Sequence, residues 1–207
     1  PLPVVMLSVN GAPEAPFFID TGGEGLILDR NYAREVGAQM VGEAAGEYVG
    51  GKGVTGYGKV ERVAFGPLYP EHVPTCGIDL QPVRKAVFPN MEIKGIVGTG
   101  LLQPFLVTLD YPHGQLVLRR PDSALPGQPG ATAIPFWWVE THLLFARGQL
   151  NELDPQPMLI DTGLADGGFL TSQGIYEQAD VTVDWSKALA GAGGGGEAQG
   201  TIVTVPR

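Results

Sequence analysis

The sequence predicts an all-β protein with a few short helices, built from two copies of one unit. Three observations carry this expectation. The tripeptide Asp-Thr-Gly occurs twice, at Asp20-Thr21-Gly22 and Asp161-Thr162-Gly163, each behind an apolar run, Phe17-Phe18-Ile19 and Met158-Leu159-Ile160. Short apolar or alternating segments recur along the chain between Gly, Pro and Asn, the pattern of strands joined by tight turns. The order of segments around the first tripeptide restarts after residue 130, and a repeat of that length means two packed copies of one unit.

The elements follow in order. Val4 to Val9 alternates and leads to Asn10-Gly11, a strong tight-turn signal. Phe17-Phe18-Ile19 is continuously apolar, as in a strand buried on both faces. Leu26-Ile27-Leu28 is a further strand, and Asp29 then caps a short helix from about Asn31 to Val36, ended by Gly37. Apolar flanks around Gly50-Gly51-Lys52-Gly53 read as a hairpin with a mobile glycine-rich tip. Lys59 to Phe65 alternates, and Gly95-Ile96-Val97-Gly98 is a buried run closed by glycine. Leu101 to Phe105 is a short helix, and Leu106 to Asp110 pairs with Gln115 to Leu118 across Tyr111-Pro112-His113-Gly114.

Residues 121–130 hold three Pro and two Gly, so the linker is placed at 122–130, between a first unit at 1–121 and a second at 131–207. In the second unit, His142 to Ala146 stands for the opening strand and Arg147-Gly148 for the Asn10-Gly11 turn. Gly168-Phe169-Leu170 stands for the strand after the acid, and Ser172 to Gln178 for the short helix. Gly191 to Gly196 stands for the hairpin tip, and Thr201 to Val205 begins the strand after it. The second copy has no counterpart of Ile96-Val97-Gly98.

Composition bounds the function. A chain of 207 residues, 43% hydrophobic and 17% charged, buries a substantial core. A net charge of −9 with no basic stripe argues against nucleic acid. No run of about 18 apolar residues exists to span a membrane. Cys76 is the single cysteine, so no intrachain disulfide forms; its context has no nucleophile signature and reads as a structural thiol. His72, His113 and His142 lack a metal-ligand spacing, so no metal or other cofactor is expected. The start at Pro1 reads as a processed or trimmed product, and the chain as a piece of a longer one.

The chemistry rests on the paired acids. With 10 Asp, 12 Thr and 31 Gly, about 0.1 copies of the tripeptide are expected by chance, so two matched copies carry information. Two carboxylates held close together cannot both ionise cheaply, and they share a proton. One is then a base and the other an acid at the same pH, as peptide hydrolysis by water requires in the absence of a metal or covalent intermediate.

Through Phe18-Ile19-Asp20-Thr21-Gly22, Ile96-Val97-Gly98 with Leu101-Leu102, and Leu159-Ile160-Asp161-Thr162-Gly163, the chain resembles the aspartic proteases, especially the retropepsin-like subset of bacteria. The resemblance implies an acid-protease barrel in two homologous lobes, the second incomplete. It implies that Asp20 and Asp161 hold the attacking water, that Thr21 and Thr162 hydrogen-bond across the lobe interface, and that Gly22 and Gly163 leave backbone amides room beside the carboxylates. Gly50, Gly51, Lys52 and Gly53 would form a flap over an extended peptide or protein substrate. A bacterial periplasmic or secreted setting goes with the likeness and the trimmed start.

The sequence departs from the family pattern after each acid. Gly23 and Leu164 stand where Ala or Ser is usual and cannot donate a side-chain hydrogen bond to the carboxylate. Residues Ala165-Asp166-Gly167-Gly168 are loose and add an acid. These features keep alternatives open beside an aspartic endopeptidase: a catalytically weak protease-fold module that binds peptides by strand addition, and a homodimer whose two Asp20 residues form the dyad.

Overall fold

The structure is a computed structural model describing residues 2–124, 127, 129–164, 170–183, 186, 188–193 and 195–201. It is mostly β with four short helices among these residues. No helix of the described residues is long and apolar enough to cross a membrane.

A seven-stranded sheet forms the first copy. Its strands are β1 (Val4–Val9), β2 (Ala15–Ile19), β3 (Leu26–Asp29), β4 (Gln39–Tyr48), β5 (Gly51–Ala64), β6 (Glu71–Ile78) and β7 (Gly95–Val97), in the order β1-β2-β7-β3-β6-β5-β4. The far part of β5 returns to pair with β1 through Ser8↔Ala64 and Val9↔Val63, closing the sheet on itself. β7 lies between β2, to which it is parallel, and β3, to which it is antiparallel. The loop 20–25 therefore arches over the end of β7.

The continuous apolar run of β2 is buried on both faces, as its sequence requires. Phe17 and Ile19 join Leu7, Val9, Leu26, Leu28, Val60, Val63 and Val97 in the main core. Phe18 points the other way, with Ile78, Leu80, Val83, Ile93 and Ile96. The hairpin of β8 (Leu106–Asp110) and β9 (Gln115–Arg119) lays Val107, Leu109, Leu116 and Leu118 on the main core.

Helix α1 (Arg30–Glu35) starts one residue earlier than its sequence signals indicate. The Asp29 carboxylate accepts from the Asn31 and Tyr32 amides at 3.0 and 3.3 Å, filling the orphan donors of the first turn. Helix α2 (Gln81–Val87) was not anticipated, although Pro82 near its start and Arg84 and Lys85 in its last turn are helix signals. Arg84 reaches the buried Asp29 carboxylate at 3.1 Å, which ties the two helices. Helix α3 (Thr99–Leu102) follows β7 directly, earlier than Leu101.

The second copy has a three-stranded sheet of β10 (Phe136–Val139), β11 (Leu143–Gly148) and β12 (Gln156–Leu159). Helix α4 (Gln173–Gln178) follows, then the hairpin of β13 (Ala188–Gly193) and β14 (Gly196–Thr201). The expected equivalence of Arg147-Gly148 with Asn10-Gly11 is corrected. Arg147 and Gly148 lie within β11, and Asn151 is the structural counterpart of Asn10. Asn10 and Asn151 have φ of 50° and 49°. Their side-chain amides donate to Val36 O at 2.8 Å and Ala179 O at 2.7 Å, the caps of α1 and α4. Glu152 follows Asn151 without a left-handed φ, so this turn contains no glycine for a sequence reading to detect. The loose segment at Ala165 to Gly168 lies outside the described residues, as do Phe169 and the residues following Thr201.

The two copies differ most in what covers the strand before each acid. Phe18 and Ile19 are 4% and 1% exposed, whereas Leu159 and Ile160 are 39% and 40% exposed. β7 pairs with β2, and among the described residues no strand takes that place beside β12.

The Asp29–Arg84 pair gives a stability test. Replacing Asp29 by Ala removes the cap of α1 and leaves Arg84 without its buried carboxylate. We expect a loss of about 3 kcal/mol or more in urea unfolding, partly recovered in Asp29→Ala/Arg84→Met.

Candidate active site

Asp20 lies one residue beyond β2, and its amide donates to Val97 O at 3.0 Å. From there three successive amides at the start of α3 grip the Asp20 loop. Gly98 donates to Gly25 O at 2.7 Å, Thr99 to Gly23 O at 3.0 Å and Gly100 to Glu24 O at 2.6 Å. Amides at a helix start lack intrahelical acceptors, so loop carbonyls satisfy both sides at once. A side chain at Gly98 would collide with Gly23 O, which is why glycine closes the Ile96-Val97 run.

The loop after β12 repeats the opening of this geometry. Ile19 N donates to Pro3 O at 2.8 Å, and Ile160 N to Leu144 O at 2.8 Å. Gly22 N donates to Asp20 Oδ1 at 2.8 Å, and Gly163 N to Asp161 Oδ1 at 2.7 Å. Each carboxylate is thus fixed by the amide two residues on, an Asx-type bond available to any Asp in this loop.

Four hydrogen bonds join the two loops reciprocally. The Thr21 hydroxyl donates to Ile160 O at 2.6 Å and accepts from Thr162 N at 3.0 Å. The Thr162 hydroxyl donates to Ile19 O at 3.0 Å and accepts from Thr21 N at 3.1 Å. Both hydroxyls use donor and acceptor capacity, which valine or alanine lacks and serine retains.

This lock brings the carboxylates together. A side chain on Gly22 would crowd the Asp161 carboxyl, 3.1 Å away, and one on Gly163 would strike the carboxyl of Asp20. Asp20 is pushed up from its ordinary 3.8 to about 7. Burial is the main cause, followed by the Asp161 charge and the Asp161 carboxyl within hydrogen-bond reach; the Gly22 and Gly23 amides oppose the shift. Those amides supply the donors that a side chain at position 23 lacks. Asp161 is the more exposed member, so the surroundings of the two acids differ even though their local loops match.

The structure also places the two hairpin tips. β4 and β5 pair from Gln39↔Lys59 to Tyr48↔Gly51, so the turn sits at Val49-Gly50, and Lys52 and Gly53 are already in β5. Gly50 and Gly51 have φ of +94° and +128°, accessible mainly to glycine. The tip of the β13–β14 hairpin meets this one, with Gly195 N donating to Val49 O at 3.0 Å. Backbone lies against backbone here, and a side chain on Gly50 would strike Gly196.

Several residues at the site were not singled out from sequence. Register puts Tyr48, Thr55, Tyr57, Cys76, Ile27 and Ile96 on one face of the sheet, and Tyr48 bonds the Thr55 hydroxyl at 2.5 Å. Ile27 and Ile96 each come within 3.5 Å of the side-chain position of Gly23, beside the Asp20 loop. Period-two alternation from Tyr48 was the available signal, masked by the glycines of the hairpin. Among the described residues, no cluster of three or more His, Cys, Asp or Glu side chains is placed to hold a metal ion.

Thr21→Val removes a donor and an acceptor from the interlocked loops, whereas Thr21→Ser keeps both. Chemical unfolding should show a loss of about 1–3 kcal/mol for Val and much less for Ser.

Residues 5–101 match a family model described as aspartyl protease. No curated protein matches the chain. Among solved structures, the chain is similar to a retropepsin-like aspartic protease from Rickettsia conorii, at 16% identity and a TM-score of 0.37, covering 56% of this chain and 78% of that one. It is also similar to the retroviral protease-like domain of Ddi1 from Leishmania major, at 14% identity and a TM-score of 0.38, covering 56% of this chain and 87% of that one. The family match takes in Asp20, the loop that carries it and the β7–α3 junction beneath.

Proposed function

We propose that the protein is a bilobal aspartic endopeptidase that hydrolyses peptide bonds with a water activated between Asp20 and Asp161. The observation that carries this reading is the reciprocal Thr21–Thr162 lock, which delivers the two carboxylates to each other from matching loops. In this reading residues 1–121 and 131–207 contribute one acid each.

The mechanism follows from the shared proton. The ionised carboxylate takes a proton from water as the oxygen attacks the scissile carbonyl. The protonated carboxyl hydrogen-bonds the carbonyl oxygen and stabilises the developing oxyanion. Burial and the neighbouring Asp161 carboxyl hold a proton at Asp20 up to about 7. The two still titrate as one pair, and their macroscopic steps belong to both. The meeting glycine tips roof the cleft, and their separation admits an extended peptide. On the facing row, Tyr48 and Tyr57, 37% and 42% exposed, offer aromatic surface to its side chains.

Asp20→Asn and Asp161→Asn should each abolish cleavage of an unfolded protein, and a statine-type mimic should block the wild type. Full activity in either single variant overturns the shared dyad. Peptide binding without turnover, unaffected by either Asn substitution, would instead identify a binding module.

The pH dependence has a definite sign. Activity should fall as pH rises through about 7, where the pair loses its shared proton. Stability carries the same signature: Asp20 holds its proton more tightly folded than unfolded. Its contribution is therefore fully present below 3.8 and is lost as pH rises toward about 7. Thermal unfolding across that range should show the decline in the wild type and a flatter profile in Asp20→Asn.

A further inference from the structure

We propose that Thr99 is a positioning residue of the dyad, a second pin that fixes the Asp20 loop against the second copy at a point away from the threonine lock. This rests on the endopeptidase reading for its consequence, but the pin is a matter of geometry.

Thr99 is 3% exposed, and it is the first residue of α3. Its amide holds Gly23 O at 3.0 Å, three residues beyond Asp20. Its hydroxyl lies 2.6 Å from His142 O and 3.1 Å from Gly23 O. A hydroxyl has one proton, and Gly23 O already receives the Thr99 amide. The shorter contact therefore takes the proton, and the hydroxyl donates to His142 O.

His142 directly precedes β11, and Leu144 of that strand accepts the amide of Ile160, next to Asp161. Thr99 thus joins the far end of the Asp20 loop to the strand that flanks Asp161. The Thr21–Thr162 bonds meet at a single locus. The copies also meet where Gly195 N donates to Val49 O between the hairpin tips, but the Thr99 bond is the one that ties the far end of the Asp20 loop to the strand beside Asp161. The carboxylate separation, on which proton sharing depends, is then set by this bond together with the threonine lock.

The bond is also unusually clean to delete. Thr99→Val keeps the shape and the amide bond to Gly23 and removes only the donor to His142 O. The titratable groups on the joined segments are Asp20, Glu24, Asp161 and the His142 ring, so pH-dependent readouts must be compared with Asp20→Asn to isolate the dyad.

The experiment compares wild type, Thr99→Val and Thr99→Ser in peptide turnover and in thermal unfolding between pH 4 and 8. A misplacement of reacting groups by a fraction of an ångström predicts kcat lower by about 10- to 100-fold in Thr99→Val, with KM changed by less than about threefold. Thr99→Ser should restore kcat. In thermal unfolding, the decline of stability with rising pH should be smaller in Thr99→Val than in wild type and unchanged in Thr99→Ser. Unaltered kcat and an unaltered pH decline in Thr99→Val overturn the proposal, as does a kcat loss that Ser fails to restore. A wild type without peptidase activity would count against the endopeptidase reading alone, and the unfolding comparison would then decide the role of Thr99.

Discussion

Thr21 and Thr162 each donate one hydrogen bond to the chain that carries the opposite acid and accept one from the opposite threonine's amide. The meeting of the two acids depends on it. It brings the carboxylates together, leaves room only for glycine at position 163 and little more at 22, and makes the ionisation of Asp20 respond to Asp161. Because the lock is made of neutral groups, it holds at any protonation state of the acids it positions.

The loops are rigid for different reasons on the two sides. The Asp20 loop is clamped from below by three amides at the start of α3 and lies over β7, with the main core beneath it. The Asp161 loop follows β12, an edge strand among the described residues, and Leu159 and Ile160 before it are 39% and 40% exposed. Asp20 is consequently the more buried of the two acids, and that burial, followed by the Asp161 charge beside it, raises its affinity for a proton. The two hairpin tips meet through a backbone hydrogen bond from Gly195 N to Val49 O.

Where the copies agree, they agree in hydrogen bonds more than in residue types. Asn10 and Asn151 make the same bond to the end of a short helix across turns of different sequence. The caps differ too, since Asp29 binds the first turn of α1 while Ser172 makes no such bond in α4. The likeness between the two turns lies in backbone geometry and hydrogen bonding. This is why aligning Arg147-Gly148 to Asn10-Gly11 by glycine content misplaced the turn by four residues.

The residues themselves fixed the local answers. Apolar runs of three ending in Asp-Thr-Gly named the strands and the acids, Asp29 announced a helix start, and Asn10-Gly11 announced a turn, because each depends on neighbours in sequence. What the chain could not disclose locally was pairing. The insertion of β7 between β2 and β3, the closure of β5 on β1, the helix α2 with its Arg84–Asp29 tie, and the reach of Thr99 to His142 all join residues far apart in sequence. The threonine lock was anticipated by resemblance alone, since a hydroxyl's partners are chosen by the space around it. The tertiary structure also decided the shift at Asp20: the tripeptide is the same in both loops, whereas the burial and the facing carboxyl that raise its affinity for a proton are made by residues far away in sequence.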